Sequence, residues 1–352
     1  MSNKNLTLNE LLDDPLYFPF ELISGRKIAY LRISEDTFKK SRFLDKRIHL
    51  DGEREVLYAN SIEVANSLRD LKINVKRDLI HIFHISHVGS TFISKLLESS
   101  NETRVLREPN IFRDFTKEYL EINNFSSEYQ KNELDSLLNG ILKSIANSEQ
   151  SKLVIKHTSG NLSLPIGHNN IENINQKEIL LHTNLKEFLS HSITSSGLRG
   201  DAEGNVKTRL RYLNKLCLSN SFNLYDLSPL QKSSLIWMVE FSRMLSRKIS
   251  NENALIINFD YDFKENNKEE TIHKVIEYIF DGDTNNLDEI MNSKEWNLNP
   301  KNGKAYSFHE REQAIFNNYL LSKTEIKKVL NWVESICKEE PYLMPLINYI
   351  QS

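Results

Sequence analysis

The sequence has almost no cysteine. Cys217 and Cys337 stand far apart, with no CxxC spacing and no accompanying histidine pattern, which excludes a disulfide framework or a recognisable thiolate metal centre and fits a reducing compartment. Long apolar runs are missing too. No stretch approaches the roughly 18 residues of a membrane-crossing helix, and the opening MSNKNLTLNE lacks the apolar core of a secretory leader. Neither sign of charge dominates: 45 Lys and Arg against 48 Asp and Glu leave a net charge of −3, which argues against a nucleic-acid scaffold or a membrane-attracted surface. Repeats, low-complexity tracts and Pro/Ser linkers do not occur. These absences lead to the expectation of a soluble cytoplasmic protein with no nucleic-acid, membrane or metal partner. What is present, 352 residues with 39% apolar content, suffices for a large core.

Residues 1–76 read as an N-terminal region that names no chemistry. A short helix is expected near 6–12, then PLYFPF as a Pro-punctuated loop and a strand over 27–33. Ser34 or Asp36 caps a helix carrying Phe38, Phe43 and Leu44, and another helix covers 61–71. The region is expected to pack as a partly helical extension on a domain spanning 77–352.

That domain is organised around DLIHIFHISHVGSTFISKLLES, residues 78–99. Leu79, Ile80, Ile82, Phe83 and Ile85 make the nearly continuous apolar run of a strand buried on both faces. His81 and His84 alternate within it and read as core histidines. From Phe92 on, Phe92, Ile93, Leu96 and Leu97 recur at helical spacing, with Ser86, His87, Val88, Gly89, Ser90 and Thr91 between. A Gly/Ser/Thr turn feeding a helix start points several backbone N–H groups at one spot, where a phosphate or sulfate binds.

Further on, about 127–146 reads as a second helical hairpin, with Leu134, Leu137, Leu138, Ile141, Leu142 and Ile145 in an apolar core stripe. KLVIK (152–156), EILL (178–181) and ALIINFD (254–260) are strands, and 227–249 and 269–280 are helices. The Gly-rich basic stretch SSGLRGDAEGNVKTRLR (195–211) reads as a mobile loop. The order predicts an α/β fold: a three-layer sandwich with a mostly parallel central sheet, of the P-loop nucleotide-binding type. In such sheets ligands sit beyond the carboxyl ends of the strands.

The loop departs from the G-x-x-x-x-G-K-S/T pattern of nucleoside-triphosphate sites, because Ser90 follows Gly89 where the lysine would stand. It resembles the P-K/R-S-G-T-T loop of the sulfotransferases, and HISHVGSTFISKLL with LREPNIFRDF is similar to a bacterial sulfotransferase-like group. The resemblance continues through LLHTNLKEFLSHSI, where His182 and Ser190 stand at the arginine and serine of the family's 3′-phosphate signature. It also covers VIKHTSGNLSLP, where Lys156 matches a catalytic lysine and His157 lies one position before a catalytic histidine. Asp260 stands near an acidic residue of the family, and Lys301-Asn302-Gly303 echoes its late R-K-G loop. The resemblance implies transfer of a sulfuryl group from 3′-phosphoadenosine 5′-phosphosulfate to a hydroxyl or amine of a small-molecule or glycan acceptor, with no metal.

In that chemistry Ser86, His87, Val88, Gly89, Ser90 and Thr91 hold the sulfuryl and phosphate oxygens, and His182 and Ser190 hold the 3′-phosphate. Lys156 serves the leaving phosphate. Glu108 is the acceptor's base and His157 its rival. His87 and His182 replace a lysine and an arginine, so each is expected as imidazolium beside a bound anion. Bland alternatives remain for Glu108, an ion pair with Arg107 or Arg113, and for Lys156, a solvated strand end. Two other functions also stay open: an ATP-dependent kinase in which Asp260 or Asp262 holds magnesium, and a binding module that kept the anion loop and lost catalysis.

Overall fold

A computed structural model of the chain describes residues 6–50, 54–125, 128–147, 150–167, 171–216, 222–264, 266–283, 285–299, 303–305 and 307–350. Its strands are β1 (Tyr17–Ile23), β2 (Lys27–Arg32), β3 (Val56–Asn60), β4 (Arg77–His84), β5 (Thr103–Arg107), β6 (Lys152–Lys156), β7 (Ile174–His182) and β8 (Leu255–Asn258). The expected α/β fold is the one found. Its central sheet has the order β5-β6-β4-β7-β8, the pairs β4–β6, β5–β6 and β7–β8 run parallel, and helices flank it. Among the described residues no helix is long and apolar enough to cross a membrane. The chain divides into two compact units: Met1–Ile82 with Leu97–Glu178, and Phe83–Leu96 with Ile179–Ser352.

In the first unit β1, β2 and β3 form an antiparallel sheet. Its core gathers Phe20, Tyr30 and Leu31 with Phe112 and Phe115 of the helix Asn110–Phe125. Leu134, Leu137, Leu138, Ile141 and Leu142 of the helix Glu128–Ala146 are buried, as the stripe predicts. In the second unit the long helix Pro229–Ser250 starts at a capping box, with Ser228 and Gln231 each bonding the other's backbone N–H. It buries Leu235, Ile236, Trp237, Val239, Phe241 and Met244.

Several local expectations are corrected. PLYFPF is strand, not loop: Pro19 lies on edge strand β1, where the register shifts between Pro19 and Glu21, so the missing N–H is absorbed at a bulge. The helix capped by Ser34 ends at Lys40, which leaves Phe43 and Leu44 in an irregular segment. Leu44 there donates to the Arg107 carbonyl and accepts from the Asn110 N–H. Residues 195–211 belong to a helix, Ser196–Leu216. Its Leu198, Ala202, Val206, Leu210 and Leu213 form a buried stripe against Pro229–Ser250. Gly200 and Gly204 have open space where a β-carbon would lie, and packing outweighs their cost of about 1 kcal/mol each. Cys337 is buried and forms no disulfide among the described residues; Cys217 lies outside the described residues.

Candidate functional site

In the second unit the buried run of β4 ends at His84, whose ring Nδ1 lies 2.7 Å from the Ile85 carbonyl. Ile85 donates to Leu181 O at 3.1 Å. The main chain then turns through two left-handed residues, His87 (φ 65°) and Gly89 (φ 71°), into the helix Ser90–Leu97. Left-handed residues thus stand on either side of Val88 just before a helix start, the kind of turn whose amides can serve an anion. Ser90 and Thr91 are buried at that start. Phe259 covers Gly89 so closely that any side chain there would meet its ring.

Residues that the sequence reading missed support this loop. The Ser86 N–H donates to Glu240 Oε2 at 2.8 Å, and Arg209 reaches Glu240 Oε1 at 2.5 Å. Glu240 is fully buried in the long helix. Its signal was in the sequence: one carboxylate inside the apolar run WMVEF implies a buried partner. His87 lies with its ring 5.6 Å from that of His191, and its carbonyl accepts from Arg311 at 3.5 Å. Arg311 also donates to Asp260 Oδ1 at 2.9 Å, while Thr183 donates to Oδ2 at 2.6 Å.

Both Asp260 oxygens are therefore engaged. Asp262 Oδ2 accepts from the Asn258 N–H at 2.8 Å, and burial pushes its carboxyl above the usual range. Among the described residues no group of three or more His, Cys, Asp or Glu side chains is placed to hold a metal. Lys301 and Asn302 lie outside the described residues.

His182 and Ser190 occupy the same unit, yet not as charged and free donors. The His182 ring stacks on Phe241 at 4.8 Å and meets Tyr349 edge-on at 5.4 Å. Burial pulls its pKa down to about 4, so in these surroundings the ring is neutral at neutral pH, whereas the imidazolium expected from the sequence is one beside a bound anion. The Ser190 hydroxyl donates to Lys186 O one turn back in its own helix at 2.7 Å.

The first unit holds Glu108, Lys156 and His157. Pairing Arg107 with Lys156 across β5 and β6 brings the two strand ends side by side, and the Glu108 N–H donates to Lys156 O at 2.7 Å. Glu108 is left-handed at φ 52°, although Pro109 after it disfavours anything but extended backbone. Such a conformation costs about 1–3 kcal/mol and persists only where surroundings enforce it. They do so here. Lys156 donates to Glu108 Oε1, and Arg47 and Arg113 reach Oε2 at 2.9 and 3.2 Å. Arg47 and Arg113 also pair with buried Asp45, at 2.5 and 3.4 Å. Lys156 is 2% exposed, so it is not a solvated strand end. The ion pair weighed for Glu108 exists with Arg113; Arg107 instead pairs with Glu98.

Asp45 and Arg47 went unread because nothing in their local pattern marks them. The tie between Leu44 and the end of β5 delivers them. His157 is fully buried, with Nε2 3.0 Å from His81 Nδ1 and Phe112 edge-on. His81 completes a chain to Gln176 at 3.3 Å, so both are core histidines in this conformation.

No protein-family model and no curated protein matches the chain. Solved structures do. The chain is similar to the sulfotransferase domain from the curacin biosynthetic pathway, with 11% identity over 66% of this chain and 80% of that one and a TM-score of 0.35. It is similar to sulfotransferase STF9 from Mycobacterium avium, with 14% identity over 74% and 80% and a TM-score of 0.36. It is also similar to mouse sulfotransferase SULT7A1, solved complexed with PAP, with 10% identity over 83% and 97% and a TM-score of 0.33. All three are sulfotransferases, the family that the loop sequence resembles.

Proposed function

We propose that this chain is a sulfotransferase-like enzyme that moves a sulfuryl group from 3′-phosphoadenosine 5′-phosphosulfate to a hydroxyl or amine of a small-molecule or glycan acceptor. The observation that carries the reading is the loop, where two left-handed residues and the buried Ser90 and Thr91 stand at a helix start. The loop fits the phosphosulfate end of the donor. At the other end, His182 and Ser190 are the groups that would meet the 3′-phosphate.

In the reaction the acceptor oxygen or nitrogen bonds to sulfur while the bridge from sulfur to phosphate breaks. The Ser86–Thr91 loop, with His87, holds the oxyanions. Lys156 offsets charge on the leaving phosphate, and Glu108 takes the acceptor's proton. His157 takes that role only if it leaves its contact with His81.

The neutral state of His182 also supports a second reading, a nucleotide-binding module without catalysis. Thermal shifts with 3′,5′-adenosine bisphosphate, ATP with magnesium, and sulfate separate the readings. The transferase reading expects the bisphosphate to stabilise most and sulfuryl transfer to be measurable. Stabilisation by ATP with magnesium alone would sink it, and the bisphosphate without transfer selects the module.

A further inference from the structure

Asp45, Arg47, Glu108, Arg113 and Lys156 form one connected cluster in the first unit. In these contacts two carboxylates, Asp45 and Glu108, face three cations, Arg47, Arg113 and Lys156. The charges are not equally accessible. Lys156 is 2% exposed, whereas the Arg47 and Arg113 side chains are 53% and 38% exposed. The Arg47 guanidinium lies 3.8 Å over the Phe43 ring, so a cationic face with an aromatic floor is open to solvent.

From this cluster we infer that the acceptor carries an oxyanion besides the hydroxyl it offers. The inference rests on the proposed role of Glu108 as base. Glu108 Oε1 is committed to Lys156, and Oε2 to both arginines. An oxygen held by two guanidinium groups is a poor proton acceptor. Each arginine, however, has a second carboxylate in Asp45 and can turn from Glu108 without losing every partner.

A carboxylate or other oxyanion on the acceptor replaces Glu108 at these arginines, since guanidinium groups bind planar oxyanions through paired N–H donors. That exchange releases Oε2. The acceptor hydroxyl then gives its proton to Oε2 as its oxygen bonds to sulfur and the sulfur–phosphate bridge breaks. A neutral acceptor leaves the arginines on Glu108 and is a poorer substrate.

The test uses the whole chain, the phosphosulfate donor, and two phenols that differ only in charge, 4-hydroxyphenylacetate and its methyl ester. The acid should show a kcat/KM about ten- to a hundred-fold above the ester's, the scale of a charge-assisted contact. Arg47→Ala and Arg113→Ala should each bring that ratio toward one, and Arg47→Lys should restore part of it. Glu108→Gln should slow both phenols together. A ratio near one in the unmodified chain, or one unmoved by Arg47→Ala, overturns the inference. If neither phenol is sulfated, the transfer reading fails on its own and calorimetry with the same probes decides the oxyanion site. Tighter binding of the acid that Arg47→Ala removes supports the site, and the absence of such a preference overturns it.

Discussion

Phe259 lies across Gly89, so a β-carbon on that glycine would fall 2.0 Å from the ring. The contact and the left-handed φ of 71° together make position 89 glycine-only. Gly89→Ala should therefore destabilise the fold by roughly 1–3 kcal/mol through overpacking alone, besides weakening any bound anion. Because both effects come from one site, the packing cost and any loss of anion binding have to be separated. A double-mutant cycle with Phe259→Ala separates them: urea unfolding should show the two changes to be non-additive, with Phe259→Ala relieving part of the Gly89→Ala penalty. Additive costs would mean that the ring is not the obstacle.

The loop between β4 and the helix Ser90–Leu97 was legible because its information is local. A buried strand, a Gly-Ser-Thr turn and a helical period lie within residues 78–99, and β6, β7 and β8 announced themselves in the same way through short apolar runs. What escaped depended on partners distant in sequence. Arg47 meets Glu108 only because Leu44 is tied to the end of β5, and Pro19 sits in a strand only because β2 pairs with it. Gly200 and Gly204 misdirected the reading of 195–211, since propensity there loses to an apolar stripe that finds a neighbouring helix. The charge state of His182 was not legible from its place in a motif, because it follows from aromatic surroundings distant in sequence.

That charge has a consequence for stability against pH. His182 titrates near 4 when folded and near 6.5 in an unfolded chain. Between those values the unfolded state binds more protons, so the folded state loses stability as pH falls from about 6.5 to about 4, and His182 contributes no pH dependence above that window. The full shift corresponds to about 3 kcal/mol. His182→Phe keeps the aromatic packing and removes the proton site, so its stability relative to the unmodified chain should rise through that window on acidification. Urea unfolding at a series of pH values checks this, and an NMR titration should find the His182 ring neutral at pH 6. A constant difference between the two proteins, or a ring that titrates near 6.5, would refute the account.

Lys156 and Glu108 give the test that joins stability to chemistry. Lys156 is buried, and Glu108→Gln would leave its ammonium without the carboxylate that neutralises it, a change that costs about 3–5 kcal/mol when a buried pair is broken on one side. Lys156→Met should cost less, because Glu108 keeps Arg47 and Arg113. The double variant should be more stable than Glu108→Gln alone, since it removes the stranded charge together with its partner. Activity must be read against that background. If Glu108 is the base, Glu108→Gln should lower kcat by roughly two to four orders of magnitude under conditions where the variant is folded. The double variant should regain stability without regaining turnover. Recovery of both would assign the pair a structural role only, because a base that can be deleted along with its counter-ion takes no proton from the acceptor.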